Sequence, residues 1–120
     1  MKNVIVFLRP NCYFKTKEAL NEKRFFAMNT KEVLGRGREH VSFTTTGEGN
    51  NEADDKIYSR TFVAKKMINI VVTDDRLDEL IDVILSVNSH GAEGDGKIFV
   101  TPVDSCIRIH TGETDEDALI

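Results

Sequence analysis

The sequence has no tryptophan, two cysteines and two prolines in 120 residues. Two thiols, Cys12 and Cys106, cannot build a disulfide scaffold, and a reducing cytoplasm is the expected location. No cluster has the spacing of zinc ligands. Long apolar runs are missing too. The longest is Val4–Leu8, far below the roughly 18 residues of a membrane span, so no membrane insertion is expected. The start of the chain lacks the basic, apolar and small-residue succession of a secretory leader. Excess positive charge is absent as well. Twenty acids face sixteen bases, for a net charge of −4. Setting aside Glu113, Asp115, Glu116 and Asp117 leaves sixteen of each sign. Non-specific nucleic-acid binding draws on a positive field that this body does not have, so no nucleic-acid partner is expected. An anionic ligand would have to be held by local groups.

What is there fits one domain with a core of its own. Asn3–Leu8 is apolar at nearly every position and reads as a central strand covered on both faces. Pro10 ends it. Asn11 then caps a helix over about Cys12–Lys23, with Phe14, Ala19 and Leu20 as its apolar stripe. Phe25–Leu34 reads as a second strand. From His40 to Ser59 the chain is polar and aperiodic. A structureless stretch of that length is usually functional or mobile, because it buries too little to offset its ordering entropy. Thr61–Val72 reads as a third strand, with Phe62, Ile68, Ile70 and Val72 on one parity and Met67 and Val71 on the other. Thr73-Asp74-Asp75 starts a helix that carries Leu77, Leu80, Ile81, Ile84 and Val87 at helical spacing. Lys97–Val103 and Cys106–His110 read as two short strands. This order predicts an α+β, ferredoxin-like βαββαβ antiparallel sheet with two helices on one face. Two helices cover one side only, while Asn3–Leu8 and Met67–Val72 are apolar on both. A symmetric oligomer is the economical cover for the second side.

Three basic clusters bear on chemistry. In Gly94-Asp95-Gly96-Lys97 the glycines let backbone amides approach a ligand, and Lys97 adds a point charge suited to phosphate. Taken alone, that spacing is more often a tight turn with a solvated lysine. Gly35-Arg36-Gly37-Arg38 offers planar guanidinium groups for phosphate or carboxylate, with a solvated loop as its bland alternative. Arg108 and His110 fall on one face of the predicted last strand. Convergence of the three would make an anion site.

The run Gly94-Asp95-Gly96-Lys97-Ile98-Phe99-Val100, followed by Ile107-Arg108-Ile109-His110-Thr111-Gly112-Glu113, resembles the C-terminal signature of the P-II signal-transduction family of nitrogen-regulatory proteins, the GlnB and GlnK group. Glu18-Ala19-Leu20, Val33, Gly35-Arg36-Gly37-Arg38 and Ile70-Val71-Val72 before Asp74-Asp75 match it upstream. The resemblance is strongest to the nitrogenase-associated branch often called NifI. Lys15-Thr16-Lys17-Glu18-Ala19-Leu20 and Val33-Leu34-Gly35-Arg36-Gly37-Arg38 look like its second paralogue.

The resemblance implies one domain over 1–120, with a mobile partner-binding T-loop over 38–63 and an acidic tail over 113–120. It implies a homotrimer, or a trimer mixed with a paralogue, with ATP or ADP in each cleft between neighbours. Met28, Asn29, Gly35, Gly37, Arg38, Val71, Gly94, Asp95, Gly96 and Lys97 are the matching nucleotide-binding positions. Arg108 and His110 match two arginines that reach across from the next subunit. The effector 2-oxoglutarate is expected beside Mg-ATP, at Glu39, Lys65 and Gly94, with Glu39 as the magnesium ligand. Three departures stand out. Glu39 replaces a usual glutamine; a carboxylate ligates magnesium well but repels a dianion. His110 replaces an arginine and is mostly neutral at pH 7 unless a phosphate raises its pKa. His90 stands where a hydroxyl residue is common and reads as an exposed turn residue. Tyr58 falls where many members carry a modifiable tyrosine, in a different context, and reads better as a loop contact.

The expected activity is a non-enzymatic sensor, in which ligands shift loop populations and the loop controls a target. The branch implies dinitrogenase as that target, inhibited post-translationally. The alternative is a nucleotide-binding enzyme of the same fold, of nucleoside diphosphate kinase type, with His40, His90 or His110 as nucleophile. A third reading, an RNA-recognition domain, has Phe99 but neither the other aromatics nor the charge.

Overall fold

The computed structural model describes residues 1–36 and 62–119. The expected loop over 38–63 lies outside them except for its last two residues. Six elements follow in order: β1 (Lys2–Leu8), α1 (Tyr13–Glu22), β2 (Asn29–Gly35), β3 (Val63–Val72), α2 (Leu77–Asn88) and β4 (Gly96–Pro102). The strands form one sheet in the order β2-β3-β1-β4, every pair antiparallel. This is the ferredoxin-like arrangement read from the sequence.

Strand alternation sets the layers. Val4, Val6 and Leu8 of β1 and Ile68, Ile70 and Val72 of β3 are buried with Leu20 of α1 and with Leu80, Val83 and Ile84 of α2. A buried polar pair ties the two helices: Asn88 Nδ2 donates to Thr16 Oγ1 at 3.0 Å, and the Thr16 hydroxyl donates to the Cys12 carbonyl at 2.7 Å. On the other face, Phe7 and Phe99 meet edge-on with ring centroids 6.0 Å apart. Both helices pack on the first face, through Leu20 of α1 and Leu80, Val83 and Ile84 of α2.

Several local expectations are corrected. A single 3-10 turn, Pro10–Cys12, precedes α1, and Cys12 rather than Asn11 stands at the helix start, with no side-chain cap. Proline suits that first turn because its missing N–H would have no partner there. The buried face of α1 is Cys12, Thr16 and Leu20, spaced four apart, so Phe14 points outward and is 70% exposed. Phe25 is not in a strand. Arg24 turns the chain into the left-handed region at φ 64°, and Phe25 then packs into the core as the helix's C-terminal anchor. Phe62 precedes β3 and is exposed, so it does not share that strand's buried face. Cys106–His110 is not a strand. Ile107 forms one isolated bridge to Thr114, and Gly112, at φ 74°, closes a tight turn between them. Arg108 and His110 therefore do not share a strand face.

Candidate functional site

The turn from Ser89 to Gly96 joins α2 to β4, and its shape follows from three glycines and one carboxylate. Gly91, Gly94 and Gly96 hold φ of 71°, 89° and 125°, conformations that side chains disfavour. At Gly96 glycine is compulsory, because a Cβ there would sit 1.9 Å from the Phe7 carbonyl oxygen. Asp95 Oδ2 accepts the backbone N–H of His90 at 2.8 Å and that of Ala92 at 3.2 Å. The His90 hydrogen bond, the main cause, holds the Asp95 carboxyl below the usual carboxylate range against an opposing desolvation. Asp95 was expected among the ligand contacts. Its Oδ2 also organises the turn from within.

Other elements brace this turn from outside. Lys65 of β3 donates to the Gly94 carbonyl at 3.1 Å. Arg9, just past β1, donates to the Glu93 carbonyl at 2.7 Å, and its Nε lies 3.8 Å from Asp95 Oδ1. His90 Nε2 lies 3.7 Å from Cys12 Sγ at the start of α1. His90 is exposed as expected, but Cys12 has a partner that sequence proximity did not reveal. Arg9 is the residue that sequence reasoning missed. It is 84 positions from Glu93, and its only local signal is its place at the end of a central strand.

The turn forms one wall of a cleft of about 650 Å³. Gly35, Lys65, Gly94, Asp95, Gly96 and Lys97 all line it, with Arg36 and Phe7. Two of the three predicted basic clusters thus converge. Three cations, Arg36, Lys65 and Lys97, face this space with Glu93 and Asp95. Three cations against two carboxylates leave the cleft net positive, which favours an anion.

The remaining predicted residues lie elsewhere. Val71 pairs with Asn3, whereas Lys97 pairs with Phe7, so four residues, about 13 Å of strand, separate them. Asn29 pairs with Asn69 at the start of β2, six residues or about 20 Å from Gly35. Met28 precedes it and packs against the core. Arg108 is half-buried in the C-terminal segment, where it meets Glu113 at 3.6 Å and donates to the Ala118 carbonyl at 3.1 Å. His110 is exposed there. Neither lines the cleft. Gly37, Arg38, Glu39, His40 and Tyr58 lie outside the described residues. Among the described residues no group of three His, Cys, Asp or Glu side chains could hold a metal ion. No helix among them is long and apolar enough to cross a membrane.

A glycine turn fixed by its own carboxylate, facing a glycine at the end of β2 across a cationic cleft, accords with the signature already noted. The sequence model of the family "Nitrogen regulatory protein P-II" matches residues 1–113. The chain belongs to the P-II family. Its relatives narrow the position further. It is 37% identical over 122 residues to the nitrogen fixation nifHD region GlnB-like protein 2 of Methanobacterium ivanovii, covering 100% of both chains. A protein of the same description from Methanothermobacter marburgensis is 37% identical over 121 residues, covering 99% of this chain and all of its own. The nitrogen regulatory protein GlnK of Escherichia coli K12 shows the same identity and coverage. Membership of the P-II family places the chain among nitrogen-regulatory signal transducers and not among enzymes. The kinase alternative falls with it. His90 lies against Cys12 and His110 outside the cleft, so neither occupies a nucleophile's position there.

Proposed function

We propose that this P-II protein senses ATP or ADP together with 2-oxoglutarate and controls a target protein, dinitrogenase, through the segment 38–63. The observation that carries the reading is the convergence of Gly35, Lys65 and Gly94–Lys97 on one cationic cleft. Amides of the glycine turn and the Lys97 ammonium hold the phosphate chain, with Gly37 and Arg38 continuing the opposite wall. The second set, Met28, Asn29, Val71, Arg108 and His110, does not line the same cleft in one chain. A symmetric trimer resolves this, because a neighbour can bring its own second set to the first set of this chain. The uncovered sheet face supports such an assembly.

Lys65, beside the Gly94 carbonyl, is the group we assign to the 2-oxoglutarate carboxylates, and its ammonium would turn from Gly94 toward the effector. Magnesium takes oxygen ligands. Asp95 is committed to His90, Ala92 and Arg9 and fits that role poorly, which leaves Glu39 and the nucleotide's own phosphates to hold the ion. The nif-region names of the relatives support dinitrogenase as the target.

Calorimetry with ATP tests the cleft. Lys97→Ala removes a charge-assisted contact worth about 1.5–3 kcal/mol, so affinity is expected to fall roughly 10- to 150-fold. Unchanged affinity defeats the site.

A further inference from the structure

Phosphate recognition at the glycine turn faces an electrostatic problem. The turn carries Asp95 at its centre and Glu93 beside it, and both line the cleft that is to receive a polyanion. Asp95 cannot simply be dispensed with, because its Oδ2 gathers the His90 and Ala92 amides that give the turn its shape. Its other oxygen, Oδ1, is out of contact with water and has no hydrogen-bond partner among the described residues. Its ion-pair partner among the described residues is Arg9, with Nε at 3.8 Å. The same guanidinium donates through Nη2 to the Glu93 carbonyl at 2.7 Å. One side chain from the end of β1 thus grips the turn at two adjacent places, and it does not itself line the cleft.

We propose that Arg9 is a positioning residue for phosphate binding: it clamps the turn through the Glu93 carbonyl and offsets the Asp95 carboxylate, so that the Gly94–Lys97 segment can face a polyanion. This rests on the nucleotide reading above. Arginine suits the task because its planar fork reaches a carbonyl and a carboxylate together. Without the guanidinium, the Asp95 charge would act directly on the ligand. The loss then shrinks as salt is raised and is reversed when the Asp95 charge is removed, which a merely loosened turn would not produce.

The test measures ATP, ADP, AMP and adenosine binding to wild-type protein and to Arg9→Gln, Arg9→Lys and Arg9→Gln/Asp95→Asn. Asparagine keeps the oxygen that accepts the two amides and removes the charge. Arg9→Gln is expected to weaken ATP binding about five- to tenfold, with a smaller loss for ADP and none for adenosine, and the loss shrinks as salt is raised. Arg9→Lys, which keeps the charge but loses the fork, is expected to fall between wild type and Arg9→Gln. The double variant recovers most of the lost ATP affinity. Equal losses for ATP and adenosine, or no recovery in the double variant, overturn the proposal. Wild-type protein that ignores every nucleotide overturns the reading beneath it instead. In that event amide exchange still tests the clamp. Faster exchange at the His90 and Ala92 amides in ligand-free Arg9→Gln supports it, and unchanged exchange refutes it.

Discussion

Two glycines of the same turn differ in what they would lose. Gly91 and Gly96 both hold positive φ, yet a Cβ at Gly91 meets nothing within 4 Å, whereas one at Gly96 meets the Phe7 backbone. Gly91→Ala should therefore cost about 1–2 kcal/mol, the penalty of a left-handed alanine. Gly96→Ala cannot relax by moving a side chain, since its obstacle is a carbonyl. The β1–β4 pairing must shift, at a cost of at least about 2 kcal/mol. Urea denaturation of the two variants checks the order, and equal midpoints would show that the strand ends are not held as described. The same shift moves Lys97, which faces Phe7 across the ladder. Gly96→Ala is thus also expected to impair binding in the cleft. Here the sequence was informative, because glycine beside lysine at a strand entrance has few purposes. It was silent on Arg9, whose partner depends on how β1 and the turn are brought together.

At the scale of elements, α1 shows where pattern reading succeeds and where it stops. The sequence suggested Phe14, Ala19 and Leu20 as one stripe. Leu20 is fully buried, Ala19 packs against the core, and Phe14 is 70% exposed. Thr16 takes the place on the core face because Asn88 gives its hydroxyl a partner there. Leu20→Ala is accordingly expected to cost about 2–5 kcal/mol through the cavity it leaves. Phe14→Ala should change stability by no more than about 0.5 kcal/mol. Thermal unfolding of both variants separates them, and comparable losses would return Phe14 to the core. The two long-range strands and α2 were legible because apolar periodicity there had no competitor. The ends were less so. Phe25 looks like the first residue of a strand, but an apolar residue just after a helix also serves as its C-terminal anchor. Cys106–His110 alternates like a strand, yet Gly112 turns the chain before a ladder can form. Alternation over five residues records which side chains could share a face. It does not record whether a partner strand lies beside them.

The whole molecule leaves a sheet face and a binding site each half finished. Asn3 Oδ1 and Asn69 Oδ1 are buried without hydrogen-bond partners among the described residues, and by strand parity both belong to the face without helices. Ile109 is 99% exposed in the C-terminal turn near Arg108. An apolar side chain as exposed as Ile109 is what a neighbouring copy would cover. The separation of Lys97 from Arg108 makes the idea testable without seeing the assembly. Suppose each site takes its glycine turn from one subunit and its arginine from the next around a three-fold ring. Lys97→Ala and Arg108→Ala homotrimers then have no intact site. A mixed ring of either composition always contains one junction where a subunit with native Lys97 meets a neighbour with native Arg108. Refolding the two variants together should therefore restore wild-type ATP affinity at one site per mixed trimer. Native mass measured with ATP reports both the trimer and the nucleotides it holds. If the two groups act within one chain, each subunit of a mixed ring remains defective and no high-affinity site appears. Recovery on mixing, absent from either variant alone, requires a site made at the seam between two copies.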